Sequence, residues 1–510
     1  MSAALLTRVE SREVDRSLIA AGVPGVVLME NAGRGAAERI AAAVGDCARL
    51  TVLVGPGNNG GDGLVVARHL ALRWPRAEVT VVCVVDPSKL TGDAAVMRDA
   101  WHGVGGAIAV ARDGDDVTPL VAGRSLVVDG LFGTGLTRPL TGAALACVKA
   151  AHAAGAQWLA ALDVPSGLDA DTGAALGGEE GVFHATMTCT FGTSKPGLHT
   201  GAGRRLAGEV TVVGLGAAVP PEVLAKANAW LSSYVAPAAR SVDAHKGDAG
   251  RVLVIAGSPG KIGAALLASR GAHRGGAGLV TVASRAAAAL DARVLETMTL
   301  HLAGDAFTVA PSLMAALGAA DAVVVGPGLG LDEHAAACVD AALRHAKGPV
   351  VVDADALSLL AKRDGKNAPV TVLTPHPLEL ARMLGHEASR GATGVNADRL
   401  GAAREAAKRF AAIVVLKGAG TVIASADGRV AVLPYADPTL GVAGSGDVLA
   451  GVIAARLAEA KGDAATVWDA VLCGVHAHGR AGAIARERMG GTRGVLASEL
   501  ADAVPAALAG

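Results

Sequence analysis

Short runs of aliphatic and β-branched residues alternate along this chain with longer, Ala-rich stretches of helical character. Strands buried on both faces of a parallel sheet have such unbroken apolar runs. In the first half the runs are Leu50–Val54, Val79–Val85, Ser125–Val128, Trp158–Leu162, Thr186–Thr190 and Glu209–Val213. In the second half they are Arg251–Ile255, Leu279–Ala283, Ala322–Val325, Val350–Val352, Thr371–Leu373, Ile413–Leu416, Thr421–Ala424 and Arg429–Leu433. The alternation predicts an α/β protein with mainly parallel sheets.

Three further segments refine this pattern. A helical region, about Leu5–Ala43, precedes the first strand, and long helices follow Gly446 to the end of the chain. The last two strands are separated by Ser425–Gly428, which predicts a β-hairpin. No short repeat period is visible, so the sequence does not predict a solenoid.

The length of 510 residues predicts two to four domains. The alternation is interrupted at Ala217–Ala244, a segment that carries three prolines. We therefore predict an N-terminal domain at 1–220, a linker at 221–240 and a C-terminal domain at 241–510.

Composition excludes several classes of function. Hydrophobic residues make up 51% of the chain, but much of this is Ala, and no run of 18 or more apolar residues is free of charge, so we expect no membrane span. The N-terminus becomes charged too early for a signal peptide. The six cysteines contain no C-x-x-C pair, which fits a reducing cytoplasm and argues against disulfides or zinc. A net charge of −1 and 2% aromatic residues argue against a nucleic-acid partner.

Two glycine-rich loops stand near opposite ends of the chain, Gly55–Gly63 (GPGNNGGDG) and Gly444–Asp447 (GSGD). Each opens a predicted helix, where free backbone N–H groups and the helix dipole can hold an anion. Because loops so far apart are hard to place in one pocket, we predict two active sites on two domains, both for phosphorylated ligands.

The first loop follows a strand and fits the dinucleotide pattern G-x-G-x-x-G, which alone is a weak signal. An ordinary dinucleotide-dependent dehydrogenase or a simple glycine turn fits it too. Asn58, Asn59 and Asp62 add side-chain oxygens that a plain pyrophosphate loop does not need.

Two acidic residues, Asp129 and Asp163, follow later strands of the same half. Ligands of parallel sheets bind outside the carboxyl ends of the strands, so the Gly55–Gly63 loop and both carboxylates should meet in one crevice. Carboxylates beside a phosphate loop favour an intervening cation, for which Asn59, Asp129 and Ser166 offer hard oxygen ligands. A single Asp is more often a helix cap or turn residue, but three polar positions at equivalent strand ends favour a site. Asp163 is our candidate general acid and base.

In the second half, glycine loops and polar turns again follow strands, at Gly257–Ala265, Asp321–Gly330, Thr374–Glu379 and Lys417–Thr421. Asp447 enters a helix beside the glycines of the last loop, where its carboxylate can take a proton while N–H groups stabilise a phosphoryl group in transfer. The alternative is a helix-start Asp favoured by the dipole alone.

The first half resembles the NAD(P)HX epimerase family. The resemblance is carried by Asn31 in LMENAG, the GPGNNGGDG loop, Asp129 with GLFGTGL, Asp163–Asp169 (DVPSGLD) and Thr190–Gly197 (TFGTSKPG). It implies a Rossmann-like, three-layer αβα fold and a substrate that is NADH or NADPH hydrated at C6 of the nicotinamide ring. It implies K⁺ on Asn59, Asp129 and Ser166. The implied hydrate-binding residues are Asn58, Asn59, Gly60, Gly61, Asp62, Gly133, Thr134, Gly135, Leu136, Thr137, Arg138, Pro139 and Asp163.

The second half resembles the ADP-dependent NAD(P)HX dehydratase family, which has a ribokinase-like αβα fold. The matching segments are His245–Gly247, Gly326–Gly330 (GPGLG), Thr374–Glu379, Lys417–Thr421 and Gly444–Asp447. By this resemblance ADP phosphorylates the C6 hydroxyl, AMP and phosphate leave, and NAD(P)H is restored, with Asp447 as the base and Mg²⁺ near Glu379. Implied ADP or AMP contacts are Lys417, Gly418, Ala419, Gly420, Thr421 and Gly446; implied hydrate contacts are Ala265, Gly328, His376 and Asp447.

One position departs from this family. Asp437 stands where the family commonly has an amide, which adds negative charge near the site and affects the expected nucleotide contacts.

The leading interpretation is a bifunctional repair enzyme for NADHX and NADPHX, whose first half converts the R hydrate to S and whose second half consumes S. The alternative is a small-molecule kinase, for a vitamin precursor or a sugar, with a non-catalytic N-terminal ligand-binding domain. Ala-rich helices with few charges indicate a homo-oligomer.

Overall fold

The computed structural model describes residues 3–302, 311–362, 370–386, 391–460 and 464–509. The chain divides into two compact units, Ser2–Leu231 and Ser232–Gly510. Both units are built on parallel sheets with helices, which confirms the predicted α/β class. Among the described residues, no helix combines the length and the apolar character needed to cross a membrane.

The first unit contains nine strands and eight α-helices among its described residues. The strands are β1 Ala3–Ala4, β2 Arg49–Val54, β3 Glu78–Cys83, β4 Ile108–Val110, β5 Leu126–Gly130, β6 Trp158–Leu162, β7 Met187–Phe191, β8 Glu209–Val213 and β9 Ala229–Leu231. The helices are α1 Arg8–Ala20, α2 Gly25–Val44, α3 Asn58–Arg73, α4 Gly92–Gly103, α5 Thr118–Val121, α6 Gly142–Ala153, α7 Gly203–Leu206 and α8 Pro221–Leu224.

Seven of these strands form one parallel sheet in the order β4-β3-β2-β5-β6-β7-β8. One face is covered by α2, α3 and α4, and the other by α5 and α6. This three-layer arrangement buries β2 completely from Leu50 to Val54. The strand order reverses between β2 and β5, which is where a parallel sheet opens a crevice for a ligand.

The second unit contains nine strands and eleven α-helices among its described residues. The strands are β10 Arg251–Ile255, β11 Leu279–Ser284, β12 Met298–His301, β13 Ala322–Val325, β14 Val350–Val352, β15 Thr371–Leu373, β16 Ile413–Leu416, β17 Val422–Ala424 and β18 Val430–Val432. The helices are α9 Ile262–Arg274, α10 Ala287–Asp291, α11 Pro311–Ala319, α12 Glu333–His345, α13 Asp355–Leu360, α14 Pro377–Leu384, α15 Gly391–Ala397, α16 Arg399–Phe410, α17 Ser445–Ala460, α18 Ala464–Met489 and α19 Ala497–Ala509.

Within this unit the strand order is β18-β17-β16-β15-β14-β13-β10-β11-β12. The strands from β12 to β16 are parallel, and β16, β17 and β18 are antiparallel. The predicted hairpin is confirmed, with Ala424 opposite Val430. Helices α9, α17 and α18 pack on one face, and α12 and α16 contact β13 and β16. The order reverses between β10 and β13, so the loops after these two strands lie side by side at a second crevice.

The predicted linker region carries structure of its own. Pro221–Leu224 form α8 and Ala229–Leu231 form β9, and both belong to the first unit. The division between the units, after Leu231, falls inside the segment 221–240. The bounds 1–220 and 241–510 for separate domains stay a prediction.

Candidate active sites

A cleft of about 450 Å³ lies at the carboxyl ends of β2, β5 and β6 in the first unit. It is lined by the glycine loop, by the segments that follow β5, β6 and β7, and by one side of α1. Eight of the predicted hydrate-binding residues line it: Asn58, Asn59, Asp62, Gly133, Thr134, Gly135, Leu136 and Asp163. The other five predicted residues, Gly60, Gly61, Thr137, Arg138 and Pro139, are not among those lining it.

The glycine loop is packed too closely for side chains. A Cβ on Gly55 would lie 1.7 Å from the Leu131 carbonyl oxygen, and one on Gly60 would lie 2.1 Å from the Gly55 carbonyl oxygen. Gly60 is therefore required for the loop to fold onto itself, whatever contact its backbone makes with a ligand. The packing brings the N-terminus of α3, which begins at Asn58, to the edge of the cleft, where its free N–H groups face the ligand space.

Asp163 is the carboxylate most firmly fixed in the cleft. Its φ of +62° is rare for a residue with a side chain, so surrounding contacts must hold it. Oδ1 accepts a hydrogen bond from Lys195 Nζ at 2.6 Å, and Oδ2 accepts one from the Thr134 backbone N–H at 3.1 Å. The Lys195 ammonium is almost fully buried and also donates to Thr190 Oγ1 at 2.9 Å. Asp163 is thus an oriented carboxylate with a buried cation attached to it.

Two further carboxylates surround this pair. Burial and the neighbouring charge of Asp163 raise the pKa of Asp62 well above its ordinary value. Burial and Asp163 also raise the pKa of Asp15, which lies on α1. The charge of Lys195 opposes both shifts, so the cleft combines one cation-paired carboxylate with two carboxylates whose pKa values are raised.

The residues expected to hold K⁺ lie around the loop after β5. The buried Asp129 carboxylate accepts hydrogen bonds from the Ser166 N–H at 2.8 Å and the Ser166 hydroxyl at 2.7 Å. Burial raises the pKa of Asp129 to about 6. Neither Oδ1 nor Nδ2 of Asn59, both buried, has a hydrogen-bond partner among the described residues. A buried amide left unpaired is costly, and a bound cation would satisfy its oxygen, so this set of oxygens fits K⁺.

Helix α1 contributes side chains that the sequence did not single out. Arg8 ties its first turn to the strand-end loops by pairing with Asp169 and, at 2.7 Å, with Asp171. Arg12 and Asp15 line the cleft from the same helix. Polar residues on an amphipathic helix look like ordinary solvent-facing positions, so no sequence signal marked them. Lys195 stood in a quoted motif, but its role required the fold.

In the second unit, Lys417, Asp353 and Asp447 converge at the carboxyl ends of β14 and β16. Lys417 Nζ lies 2.8 Å from Asp353 Oδ1. A Cβ placed on Gly446 would lie 3.1 Å from Lys417 Nζ, so the ammonium lies against the first turn of α17. Asp447 is the third residue of that helix, beside the same free N–H groups. The arrangement places a base, a cation and an anion-binding turn together.

Asp447 has the electrostatics of a proton acceptor. Burial and the nearby Asp353 carboxylate raise its pKa to about 7, while Lys417 opposes the shift. A general base works best when its pKa lies near the working pH. The turn itself is anchored by buried His478, whose Nε2 lies 3.0 Å from the Ser445 carbonyl oxygen and whose pKa is lowered by burial to about 4.

The loops after β10 and β13 bring two predicted hydrate contacts together. The Gly257 N–H donates to the Pro327 carbonyl at 2.8 Å, and Ser258 Oγ donates to the Gly328 carbonyl at 2.9 Å. A Cβ on Gly257 would lie 3.1 Å from the Cβ of buried Ala265. Ala265 and Gly328 therefore lie on neighbouring segments of the second crevice.

His376 is the N-cap of α14. Its Nδ1 accepts hydrogen bonds from the Leu378 and Glu379 N–H groups, and the Glu379 carboxylate accepts from the His376 N–H at 2.7 Å. Burial lowers the pKa of His376, against the opposing charge of Glu379. Because Nδ1 accepts these two hydrogen bonds, the proton of the neutral ring lies on Nε2. The side chain is half-exposed, so Nε2 can donate a hydrogen bond to a ligand.

Two other side chains shape this site. Buried Arg399 donates to the carbonyls of Leu416 at 3.1 Å and Lys417 at 2.9 Å, and burial lowers its pKa to about 10. Arg399 thereby fixes the backbone at the start of the predicted nucleotide-binding loop, Lys417–Thr421. Asp437 accepts from Thr439 Oγ1 at 2.6 Å and pairs with Arg486 at 3.1 Å. Its extra charge is therefore offset by Arg486.

The raised pKa of Asp447 predicts a stability effect. The unfolded carboxyl has a pKa near 3.8 and the folded one about 7. The folded state therefore binds the proton more tightly, and stability falls as pH rises through this interval. Asp447→Asn removes this cost, so we expect the unfolding temperature to rise at about pH 8 by an amount equivalent to roughly 2 kcal/mol, with the difference narrowing toward about pH 5.

Differential scanning calorimetry across this pH range measures the effect. Asp427→Asn is the matched control, because hydrogen bonding to Arg429 lowers the pKa of Asp427. The expected change in stability therefore has the opposite sign. That variant should lose stability at about pH 8. A lower unfolding temperature for Asp447→Asn at about pH 8 would contradict the assignment.

Two α/β units, each with a glycine-rich anion turn and an oriented carboxylate at the carboxyl edge of its sheet, define an enzyme with two separate active sites. Comparison with known proteins specifies the family. A family model described as NAD(P)H-hydrate dehydratase matches residues 252–506, and one described as YjeF-related protein N-terminus matches residues 25–197.

Curated relatives match across nearly the whole chain. A bifunctional NAD(P)H-hydrate repair enzyme of Moorella thermoacetica is 37% identical over 98% of this chain and 96% of its own. The same-named enzyme of Escherichia coli is 37% identical over 94% of this chain and 90% of its own. The chain belongs to the family of bifunctional NAD(P)H-hydrate repair enzymes.

Solved structures are similar to part of this chain as well. The ADP/ATP-dependent NAD(P)H-hydrate dehydratase of Bacillus subtilis, co-crystallised with ATP and Mg²⁺, is 32% identical and covers 53% of this chain and 93% of its own, with a TM-score of 0.46.

Proposed function

We propose that residues 1–220 epimerise the R and S hydrates of NADH and NADPH at C6, and that residues 241–510 dehydrate the S hydrate at the expense of ADP. The observation that carries the proposal is the presence, in one chain of this family, of two separate carboxylate sites, Asp163 with Lys195 and Asp447 with Lys417. The product of the first site is then the substrate of the second.

At the first site the hydrate's C6 is a hemiaminal carbon, so the ring nitrogen can expel the hydroxyl or the ring can open. Either route needs a group that gives and takes a proton at that oxygen. Asp163 is that group in this proposal, supported by its fixed orientation from Lys195 and Thr134. Asp62, whose pKa is raised by burial, lies in the same cleft.

K⁺ is proposed on Asn59, Asp129 and Ser166, and its support is the unpaired, buried amide of Asn59 and the Asp129–Ser166 pair, which both border the loop after β5. A cation there would supply positive charge next to the ligand phosphates. Asn58 and the segment Gly133–Pro139 would hold the nucleotide, with Gly133–Leu136 already lining the cleft.

At the second site a hydroxyl is a poor leaving group, and phosphorylation makes it a good one. Asp447 would take the proton of the C6 hydroxyl while the hydroxyl oxygen attacks the terminal phosphorus of ADP. The bond from that phosphorus to the bridging oxygen breaks, and AMP leaves. The C6–O bond of the phosphorylated hydrate then breaks, phosphate departs, and loss of a C5 proton restores the dihydronicotinamide.

The ligand contacts at this site are proposals as well. Lys417–Thr421 and Gly446 would bind ADP, and Ala265, Gly328 and His376 would contact the hydrate. Mg²⁺ with the nucleotide, near Glu379, is supported by the acidic environment of Lys417, whose pKa is raised by Asp353 and Glu379 against the effect of burial. When bound, Mg²⁺ would neutralise phosphate charge. A cytoplasmic location and a homo-oligomeric state complete the proposal.

Dehydration should depend on pH in a direction set by Asp447. With a free-enzyme pKa of about 7, the base is protonated below that value, so kcat/KM for the S hydrate should fall about tenfold per pH unit below it and level off above it. Initial rates of NADPH formation from about pH 5.5 to 8.5 measure this. Epimerisation by the same protein controls for unfolding, and a flat dehydration profile would contradict the role.

The direct test of function is incubation of purified protein with separated R and S hydrates, with ADP or ATP, followed by chromatography. We expect R and S to interconvert without nucleotide, and S to yield NAD(P)H, AMP and phosphate with ADP. A stable phosphorylated product without recovery of the reduced nicotinamide would instead identify a small-molecule kinase.

A further inference from the structure

Asp353 is a buried carboxylate that no motif singled out. It follows β14 and is 1% exposed. Its Oδ1 accepts hydrogen bonds from Lys417 Nζ at 2.8 Å and from Thr374 Oγ1 at 2.7 Å. Thr374 follows β15, the strand next to β14, and Lys417 follows β16, the strand beyond it. A carboxylate this deeply buried needs a partner that offsets the cost of removing its charge from water. Here the partner is the Lys417 ammonium group, which lies against the glycine turn at the start of α17.

The backbone between Asp353 and Asp355 is strained, and it directs the two carboxylates apart. Ala354 has a φ of +50°, a conformation that costs energy for a residue with a side chain. Beyond it, Asp355 accepts from the Gly330 N–H at 2.9 Å and lies 3.4 Å from Lys261 Nζ. The turn thus sends Asp353 toward Lys417 and Asp355 toward the loop after β13. Strain of this kind persists where the surrounding structure over-determines it, often at functional sites.

The ammonium held by Asp353 lies next to the turn that would receive a phosphoryl group. Lys417 Nζ is 3.1 Å, and Asp353 Oδ2 is 3.8 Å, from the position of a Cβ on Gly446. Arg399 holds the Lys417 carbonyl at 2.9 Å, so the backbone of this residue is fixed as well. Lys417 is therefore restrained at both ends, which a side chain with only a loose electrostatic role does not need.

We propose that Asp353 is a positioning residue for phosphoryl transfer: with Thr374, it holds the Lys417 ammonium beside Gly446, where Lys417 contacts the phosphoryl group as it moves from ADP to the C6 hydroxyl. This rests on the proposed dehydratase function. In the transfer step the new bond joins phosphorus to the C6 oxygen, the bond to the bridging oxygen of ADP breaks, AMP carries away that electron pair, and Asp447 takes the hydroxyl proton.

A double-mutant cycle tests the proposal. Asp353→Asn keeps the shape and the acceptor but removes the charge, and we expect kcat for dehydration to fall about 10–100-fold with less than about a threefold change in KM for ADP. Lys417→Met should cause a larger loss. In the Lys417→Met background, adding Asp353→Asn should cost less than about threefold, because Asp353 acts through Lys417.

Controls separate positioning from stability. Asp321→Asn is matched in chemistry, since the Asp321 carboxylate accepts a backbone hydrogen bond from the Arg251 N–H at 2.8 Å, at the opposite end of the sheet. It should leave kcat unchanged. If Asp353→Asn does not fold, Thr374→Val removes one of the two hydrogen bonds and should show the same non-additivity with Lys417→Met.

Equal losses from Asp353→Asn in both backgrounds, or an unchanged kcat, would overturn the proposal. Failure of the wild-type protein to form NAD(P)H from the S hydrate and ADP would instead overturn the proposed function, so the two failures are distinguishable.

Discussion

Asp447→Asn is expected to lower the rate of S-hydrate dehydration by about 10²–10⁴-fold and to leave epimerisation unchanged. Asn has nearly the same shape but cannot accept the hydroxyl proton. The position is favourable for a base, because burial and Asp353 raise the pKa of Asp447 to about 7 beside the first turn of α17. Initial rates of reduced nicotinamide formation from pure S hydrate and ADP measure the loss.

Epimerisation measured on the same preparation is the internal control. It depends on a different unit of the chain, and Asp447 lies within Ser232–Gly510. A folded Asp447→Asn protein that loses both activities equally, or that retains dehydration, would contradict the assignment.

Asp163→Asn is expected to have the reverse effect, a loss of epimerisation by about 10²–10⁴-fold with dehydration of the S hydrate retained. The amide keeps an oxygen acceptor for Lys195, loses the acceptor for the Thr134 N–H, and cannot exchange a proton at the C6 hydroxyl. Chromatographic conversion of R to S hydrate, without nucleotide, measures the effect.

A matched control for this variant is Asp113→Asn. Asp113 caps a backbone N–H, that of Ala143, at 2.8 Å, and it is not among the residues lining the cleft. It should retain full epimerisation. Equal losses in the two variants would mean that the effect of Asp163→Asn is one of stability rather than of chemistry.

The central strands were predictable because they are buried on both faces. Runs such as Val350–Val352 and Ala322–Val325 contain only apolar residues, and this composition is enough to predict buried strands. The four strands absent from the prediction, β1, β4, β9 and β12, have two to four residues. Pairing with a neighbour, rather than an apolar run, makes these segments strands.

Candidate site residues could be proposed from the sequence where glycines or strand-end carboxylates carry a local signal, as at Asn59, Asp163 and Asp447. Lys195 and Asp353 could not be assigned a role, because their partners lie 32 and 64 positions away along the chain. A buried ion pair is a property of the fold: either residue alone looks like an ordinary charged side chain. The orientation of Asp163 likewise depends on a backbone φ that only the structure reveals.

The claim that one chain holds two independent sites for the same damaged coenzyme is tested most directly by mixing variants. Pure R hydrate and ADP are supplied to Asp163→Asn alone, to Asp447→Asn alone and to an equimolar mixture of both. We predict that the mixture regenerates reduced nicotinamide at a rate close to that of the wild-type protein, because S hydrate made by one variant reaches the intact site of the other. A mixture no faster than Asp163→Asn alone would contradict the account.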